Sequence, residues 1–272
     1  MRVRHPVPSS LRDHLTDRPI TSPAPPRDSA TVVVLRDGAD GVEAYLMRRQ
    51  PTMSFAAGMY VFPGGSVDPR DGDASIDWAG PDVTVWAERF GCDEAMARAL
   101  VCTAVRETYE EAGVLLAGPD EHTVVGDTDR WWHADRESLE SGELSLAQML
   151  TRRGLVLRAD LLGGWAHWIT PEFEPRRYST RFFVAVLPAG QRVGGLSGEA
   201  DRAAWMPVFQ AVAAVDAGEI AMYPPTIQVC REIAALRSAD EALGAAAGRR
   251  IEPLMPQLVR DGDSYFLQTE MP

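Results

Sequence analysis

The sequence predicts an α/β protein of the α+β kind, in which a mixed β-sheet lies between layers of helices. Three observations support this prediction. A mostly apolar, β-branched run at 30–35 has the length and composition of a buried strand. Apolar residues then recur every four positions through 93–112, as on the buried face of an amphipathic helix. Strand-like segments return at 165–169 and 181–187 before helical segments close the chain, and blocks of strands and helices are typical of layered folds.

The first part of the chain is predicted to be an irregular arm followed by three strands. Residues 1–28 are rich in proline and polar residues, so we expect them to be ordered only where they dock. Asp37-Gly38 supplies turn chemistry after the first strand, and 42–49 returns as the second strand. A third strand is predicted at 58–62.

Helix signals follow this meander. A short helix is predicted at 83–90, and Asp93 is the predicted N-cap of the long helix that ends at Gly113. After a strand at 114–117, the remaining helical segments are expected at 130–140, 145–153, 207–218 and 226–237.

These elements predict a single domain over residues 29–260. Two segments are expected as additions to it: an insertion at 66–92 and a helical cap at 118–163. The arm at 1–28 precedes the domain, and a C-terminal tail at 261–272, with weak strand character, follows it.

The composition excludes several classes of function. All 27 basic residues are arginine, so phosphate loops and Schiff-base sites that depend on lysine are excluded. The net charge of −12 argues against a nucleic-acid binder, which needs a basic surface. Three widely spaced cysteines predict neither a zinc site nor a disulfide framework. No apolar run approaches a membrane span, and we expect a cytoplasmic protein from a GC-rich bacterial genome.

Three carboxylates crowd the last turn of the long helix. Residues three and four apart share a helix face, so Glu107 meets both Glu110 and Glu111 and the like charges repel. The dipole at this end of a helix also disfavours anions. A divalent cation with oxygen ligands would relieve the repulsion, so the cluster predicts a metal site. The alternative interpretation is a solvated acidic face.

The upstream segment 58–65, Gly-Met-Tyr-Val-Phe-Pro-Gly-Gly, runs from a short strand into a tight turn. Together with Arg-Glu-x-x-Glu-Glu-x-Gly-Val at 106–114, it resembles the Nudix box, whose pattern is G-x5-E-x7-R-E-U-x-E-E-x-G-U with U a bulky apolar residue. The second half departs only at Thr108, where an apolar residue is usual. The resemblance implies a Nudix-type α/β/α sandwich that cleaves the pyrophosphate of nucleoside diphosphate derivatives with a divalent metal.

The first half of the box departs more. The chain has 40 residues between Gly65 and Arg106, which is 27 more than the 13 of the pattern. Counting forward from Gly65 places the first box carboxylate at Asp71, whereas counting back from Arg106 reaches Arg98, with Glu94 one helical turn earlier. The carboxylate is therefore shortened, displaced or lost, and the candidates to supply it are Asp71, Glu94 and Glu199.

An insertion at this place resembles the insertion-bearing branch of coenzyme A and acyl-coenzyme A diphosphatases. Further segments carry the same resemblance: Leu46-Met47-Arg48-Arg49, Ser54-Phe55, Trp168-Ile169-Thr170-Pro171, Arg176 to Phe183 and Pro224-Pro225-Thr226.

The resemblance implies roles for individual residues at the acidic end of the site. Glu107, Glu110 and Glu111 would hold Mg²⁺ or Mn²⁺, with the Gly65 carbonyl as a further ligand, and oxygen-only ligation favours these ions over zinc. Arg106, four residues before Glu110, is expected to orient the cluster as structural support.

A late loop carboxylate, Glu199, is implied as a further metal ligand or the general base. An ordinary surface glutamate is the alternative at this position.

Substrate contacts are expected from the turn, from arginines and from aromatic residues. Gly64 permits a close backbone approach. Arg49, Arg177 and Arg181, together with Arg176, offer planar guanidinium groups for phosphates, including the 3′-phosphate of coenzyme A. Aromatic residues could stack on adenine or line an acyl groove: Phe55, Trp165, Trp168, Phe173 and Tyr178. Solvated arginines and core aromatics are the alternatives, and His167 is expected to be structural.

The sequence thus predicts a metal-dependent hydrolase of coenzyme A or acyl-coenzyme A that yields adenosine 3′,5′-bisphosphate and a phosphopantetheine product. The alternatives are a pyrophosphatase for ADP-ribose or NADH, and a nucleotide-binding module without turnover. The expected partner is a small nucleoside diphosphate derivative, without nucleic acid or membrane, and a homodimer is left open.

Overall fold

The fold is described from a computed structural model, which covers residues 2–7, 22–53, 56–128, 130–195, 198, 200–262 and 264–271. The strands, numbered along the chain, are β1 Arg2–Pro6, β2 Arg27–Gly38, β3 Gly41–Arg49, β4 Tyr60–Val61, β5 Gly64–Ser66, β6 Trp78–Ala79, β7 Ala117–Gly118, β8 Val156–Arg158, β9 Gly163–Ile169, β10 Tyr178–Val186, β11 Ala200–Pro207, β12 Pro253–Leu254, β13 Gln257–Asp261 and β14 Ser264–Glu270. The helices are α1 Val83–Phe90, α2 Glu94–Ala112, α3 Arg130–Glu140, α4 Leu146–Arg153, α5 Val208–Asp216, α6 Pro224–Ile233 and α7 Ala239–Ala247. Short 3₁₀ turns lie at Pro69–Gly72 and Ala159–Leu161.

An eight-stranded mixed sheet forms the centre of the molecule. Its main path runs β11-β3-β2-β10-β9-β12, with β4 paired to β3 and β5 paired to β2. The β2–β10 and β9–β12 pairs are parallel, and the other pairs are antiparallel. Two three-stranded sheets flank it, in the orders β1-β14-β13 and β6-β8-β7.

The apolar side chains of β2 point alternately to the two faces of the sheet, which explains why both faces carry helices. Successive side chains of a strand point to opposite faces, and β2 is apolar at every position of its centre. Val32 and Val34 belong to the core that includes α1 and α2, whereas Val33 and Leu35 belong to the core that includes α6 and α7. The predicted mixed sheet between helical layers is therefore confirmed.

Local signals set the limits of α2, the helix that carries the acidic cluster. The Asp93 carboxylate accepts a hydrogen bond from the Met96 main-chain N–H (2.8 Å), as predicted for its N-cap. At the other end Gly113 adopts a left-handed conformation with φ of 70°, which a residue with a side chain adopts only at a cost. The helix is thus stopped directly after its carboxylates.

Several elements differ between the prediction and the structure. Of the strand expected at 58–62 only Tyr60–Val61 forms a strand, β4, and a separate strand, β5, begins at Gly64 after Pro63, which has no N–H to donate to a sheet. Of the strand expected at 114–117, only its last residue falls in β7, Ala117–Gly118. Helix α7 was not predicted, since its alanine-rich sequence carries little hydrophobic periodicity.

The chain ends join the domain more closely than the sequence predicts. Within the expected arm, β1 pairs antiparallel with β14, and the expected tail supplies β14 itself. Residues 8–21 of the arm lie outside the described part of the chain. Among the described helices, none combines the length and apolar character needed to cross a membrane.

Candidate active site

The last turn of α2 packs directly against the glycine turn at β5. The Glu111 carboxylate accepts a hydrogen bond from the Gly64 main-chain N–H (2.7 Å). A Cβ atom at Gly65 would lie 2.3 Å from Oε1 of Glu107, so a larger residue here would displace this carboxylate. The structure therefore brings together the two halves of the site that the sequence places 40 residues apart.

Arg106 lies at the centre of the acidic cluster. Its Nη1 donates to Oε1 of Glu107 (2.8 Å) and to Oε2 of Glu110 (3.1 Å). Its Nη2 also donates to the Ser66 carbonyl (3.1 Å), next to the glycine turn. The arginine thus has the position expected of a residue that orients the carboxylates.

Asp71 is the candidate for the displaced box carboxylate that reaches this cluster. It lies in the 3₁₀ turn Pro69–Gly72, is 2% exposed, and accepts hydrogen bonds from Arg106 and from the Thr103 hydroxyl. Glu94 is exposed in the first turn of α2, and 13 residues of helix place it about 20 Å from Glu107 along the axis. Glu199 lies outside the described residues.

Burial makes the cluster electrostatically unfavourable. Loss of solvent raises the pKa of Glu107 to about 7, although the Arg106 guanidinium acts in the opposite direction. Burial likewise raises the pKa of Glu110. Oε1 of Glu110 is buried and has no hydrogen-bond partner in the described part of the chain. An unsatisfied buried carboxylate oxygen is costly, and it is the kind of atom that a cation would satisfy.

The donor set suits a hard divalent cation, although the side chains do not converge on one point. Glu107 and Glu110 face Arg106 and Glu111 faces Gly64, and among the described residues no three acidic, histidine or cysteine side chains form a ready metal-holding group. Carboxylate and carbonyl oxygens are the ligands that Mg²⁺ and Mn²⁺ prefer. The residues therefore fit such an ion by chemistry.

A cavity of about 440 Å³ opens beside the cluster. Glu107, Glu111 and the two glycines of the turn form its acidic end. Apolar walls come from two segments that the sequence singled out, 168–171 and 224–226, with further contributions from Phe62, Tyr178, Phe182, Tyr223 and Leu267. Arg49 and Arg176 also line the cavity.

The predicted substrate contacts divide into three groups. Arg49 and Gly64 lie at the cavity, as expected. Arg177 and Arg181 are not among the residues that line it, so their substrate contact stays a prediction without support from the cavity. Arg177 is buried and donates to the carbonyls of Thr170 and Ala24, whereas Arg181 is buried in an ion pair with Asp28. Phe55 lies outside the described residues.

The aromatic candidates divide in the same way. Trp168 and Tyr178 line the cavity. Trp165 is in the core beside α6, where its indole N–H donates to Glu232 (2.9 Å), and Phe173 packs against Val7 and Leu267. His167 is buried and bonded to Ser179, which agrees with a structural role.

One residue at the site was missed by sequence reasoning. Arg136 of the cap helix α3 donates from Nε to the Glu110 carbonyl (2.8 Å) and from Nη2 to the Glu111 carbonyl (3.3 Å). The segment reads as a polar helix, and no spacing in it distinguishes a buried arginine from a solvated one.

Comparisons with known proteins identify relatives of this chain. The family model described as the NUDT19 Nudix domain matches residues 93–233. The acyl-coenzyme A diphosphatase NUDT19 of Xenopus laevis is 26% identical over 67% of this chain, and the match spans 57% of that relative's length. The human protein of the same name is 25% identical, covering 79% of this chain and 67% of its own. A NUDIX hydrolase structure from Alicyclobacillus acidocaldarius is 31% identical, with a TM-score of 0.68, over 81% of this chain and 96% of that one.

Proposed function

The chain belongs to the Nudix hydrolase family, and we propose that it is a pyrophosphohydrolase whose substrate is coenzyme A or an acyl-coenzyme A. The observation that supports this substrate is the cavity beside the cluster. Carboxylates that suit a metal-bound pyrophosphate lie at one end, and apolar walls and two arginines continue from them. A substrate with a charged pyrophosphate and long flanking groups would match this arrangement, with its pyrophosphate at the acidic end and its flanking groups along the apolar walls. The similarity to acyl-coenzyme A diphosphatases points to the same class.

We further propose that Mg²⁺ or Mn²⁺ is the cofactor, held by Glu107, Glu110, Glu111 and the Gly65 carbonyl. Such a cation supplies neutralisation of the pyrophosphate oxygens and a lower pKa for the attacking water.

The protein's own groups have separable tasks in this proposal. Arg106 fixes the carboxylates of Glu107 and Glu110 through its hydrogen bonds. The Gly64 N–H fixes Glu111, and the absence of side chains at the glycine turn lets phosphates approach the main chain. With these groups held in advance, little reorganisation is needed when charge develops.

The remainder of the cavity would select the substrate. The guanidinium groups of Arg49 and Arg176 suit phosphate oxygens, including the 3′-phosphate that distinguishes coenzyme A from its dephosphorylated form. Apolar surface around Trp168 and Pro224 suits adenine or an acyl chain. A role for Glu199 as a further ligand or general base stays a prediction from the sequence, as do a cytoplasmic location and a bacterial source.

A substrate panel tests the proposal. Coenzyme A, acyl-coenzyme A, dephospho-coenzyme A, ADP-ribose and NADH are each incubated with Mg²⁺ or Mn²⁺, and the products are identified by mass. We expect adenosine 3′,5′-bisphosphate and (acyl-)phosphopantetheine as the preferred products. Preferred turnover of ADP-ribose or NADH would replace the proposed substrate, and no turnover of any compound would favour a binding module.

The Glu111→Gln variant tests the role of this carboxylate in metal binding. An amide oxygen still accepts the Gly64 N–H bond, while the charge that a cation needs is gone. We expect an intact far-UV spectrum and loss of turnover. A variant with the wild-type rate would contradict the assignment of this carboxylate to the metal.

A further inference from the structure

The carbonyl groups at the end of α2 are all bonded by groups from outside the helix. The last four carbonyls of a helix have no partner within it. Here the Glu110 and Glu111 carbonyls accept from Arg136, the Ala112 carbonyl accepts from the Gly194 N–H (2.7 Å), and the Gly113 carbonyl accepts from the Thr128 hydroxyl (2.7 Å). The main chain that carries two of the predicted metal ligands is therefore fixed by the cap and by the loop at Gly194.

Arg136 joins these two outside elements. Besides its two bonds to α2, it donates from Nη2 to the Gly195 carbonyl (2.9 Å). The same cap helix continues to Glu140, whose Oε1 accepts from the Gly198 N–H (3.3 Å), and Gln50, directly after β3, donates to the Gly198 carbonyl (2.7 Å). Helix α3 thus holds the end of α2 and the loop as one unit.

The chemistry of this contact is unusual for an arginine that only adds stability. Arg136 is 7% exposed, and within the described chain it forms no ion pair: its named partners are three main-chain oxygens. Burying a guanidinium is costly, and a buried charge is ordinarily compensated by an opposite charge or a metal. The positive charge at a helix C-terminus is favourable, however, and it opposes the dipole where the carboxylates cluster.

We propose that Arg136 is a positioning residue for the acidic cluster: it fixes the main chain of Glu110 and Glu111 and so sets the direction in which their carboxylates point. This inference rests on the proposed function for its catalytic readout. A displacement of about 1 Å in a catalytic group lowers a rate about 100-fold, so the end of α2 must be held more firmly than ordinary packing requires.

The test compares Arg136→Met with Arg158→Met. Arg158 is the matched control because it is equally buried (6% exposed) and lies in the same cap segment. It donates to the Thr123 carbonyl (3.0 Å) and to Asp160, and neither of these partners belongs to the last turn of α2. Both variants lose a buried guanidinium and should lose stability. Only Arg136→Met should lower kcat, by about 100-fold with little change in KM. It should also weaken Mn²⁺ affinity, measured by titration with EPR detection, by about 10- to 100-fold.

A second pair of variants changes the loop that contacts Arg136 and leaves the arginine in place. A Cβ atom on Gly194 would lie 2.5 Å from Nη1 of Arg136, whereas nothing lies within 4 Å of one on Gly195. Gly194→Ala should therefore displace Arg136 and lower kcat and Mn²⁺ affinity, while Gly195→Ala should behave like the wild type. If Arg136→Met does not fold, this pair decides the question.

Failure of the two proposals can be told apart. If the wild-type protein turns over no compound of the panel, the proposed function fails, and the positioning role of Arg136 is then tested by Mn²⁺ affinity alone. If Arg136→Met and Gly194→Ala match Arg158→Met and Gly195→Ala in both kcat and Mn²⁺ affinity, the positioning role is wrong.

Discussion

Arg106 holds Asp71 in a buried ion pair across 35 positions of sequence. The guanidinium donates from Nε to Oδ1 (3.0 Å) and from Nη2 to Oδ2 (2.9 Å), and the Thr103 hydroxyl donates to Oδ2 as well (2.8 Å). The 3₁₀ turn Pro69–Gly72 is thereby fixed to α2. Counting forward from Gly65 thus finds the carboxylate that reaches Arg106, and the additional residues follow Asp71 in the chain.

We predict that Asp71→Asn destabilises the protein strongly. The change leaves a buried guanidinium without its principal counter-charge, and breaking a buried pair by removing one partner costs about 3–5 kcal/mol. Urea unfolding should show this loss in the free energy of unfolding, and turnover should fall because Arg106 also orients Glu107 and Glu110.

Asp73→Asn is the control in the same segment. Asp73 is exposed and its carboxylate accepts a hydrogen bond from the Ser75 N–H (2.8 Å), a bond that asparagine can keep. Its effect should stay within about 0.5 kcal/mol. Equal effects of the two substitutions would mean that the Asp71–Arg106 pair does not stabilise the fold.

Sequence patterns predicted those features of the candidate site that lie within one helix. They did not predict contacts between segments that are far apart in the sequence. The spacing of Glu107, Glu110 and Glu111, the Asp93 cap and the glycine stop are properties of one helix. Even the departure at Thr108 has a local explanation: the side chain is buried, and its hydroxyl donates to the Ala104 carbonyl one turn back (2.7 Å), so the polar atom is satisfied.

The arginines show the opposite case. Arg176 and Arg177 are neighbours in the sequence, yet the first lines the cavity and the second donates to Ala24, 153 positions away. Which of two adjacent side chains faces a cavity depends on how a loop packs, and no periodicity encodes that. Arg136 was missed for the same reason, since its partners are main-chain carbonyls contributed by two other elements.

Gly65→Ala should disable the acidic end of the site while leaving the sheet intact. The new methyl group would lie 2.3 Å from Oε1 of Glu107 and must displace that carboxylate. We expect loss of turnover and weaker Mn²⁺ binding, measured by titration. Gly72→Ala is the matched control, because nothing lies within 4 Å of its added Cβ. Wild-type Mn²⁺ affinity in Gly65→Ala would show that Glu107 is not needed where the structure places it.

Glu107→Gln should raise stability and abolish activity together. The pKa of Glu107 is raised to about 7, mainly by burial, so the folded state holds the proton more tightly than the unfolded state. Stability is therefore lost as pH rises from 4.5 to 7, and a neutral glutamine avoids that loss. With EDTA at pH 8 the variant should melt above the wild type, by about 2–4 °C for each kcal/mol regained, and the difference should vanish near pH 4.

The exposed Glu88 on α1 provides the comparison, and Glu88→Gln should not alter this pH dependence. Added Mn²⁺ should raise the melting temperature of the wild type and not that of Glu107→Gln. A variant that melts below the wild type at pH 8 would contradict the electrostatic account of the cluster.

His167 should make the protein less stable in mild acid. The ring is buried on β9 with Nε2 2.9 Å from the Ser179 hydroxyl, and Arg181 is its cross-strand partner on β10. Burial, and then the charge of Arg181, lower the pKa of His167 to about 4. Between pH 6.5 and 4 the unfolded chain therefore binds a proton that the folded state excludes, so stability falls as pH falls through this range. From pH 7 to pH 5 the loss should be about 2 kcal/mol.

Urea unfolding of the wild type and of His167→Gln at pH 7 and pH 5 measures this contribution. Glutamine can hydrogen-bond to Ser179 but does not titrate, so the variant should lose about 2 kcal/mol less than the wild type. Other titrating groups, including the buried His5, are present in both proteins and cancel in the difference. His133→Gln, at an exposed position on α3, should keep the wild-type pH dependence. Equal losses in wild type and His167→Gln would show that His167 can be protonated without cost, and that its burial does not contribute to acid sensitivity.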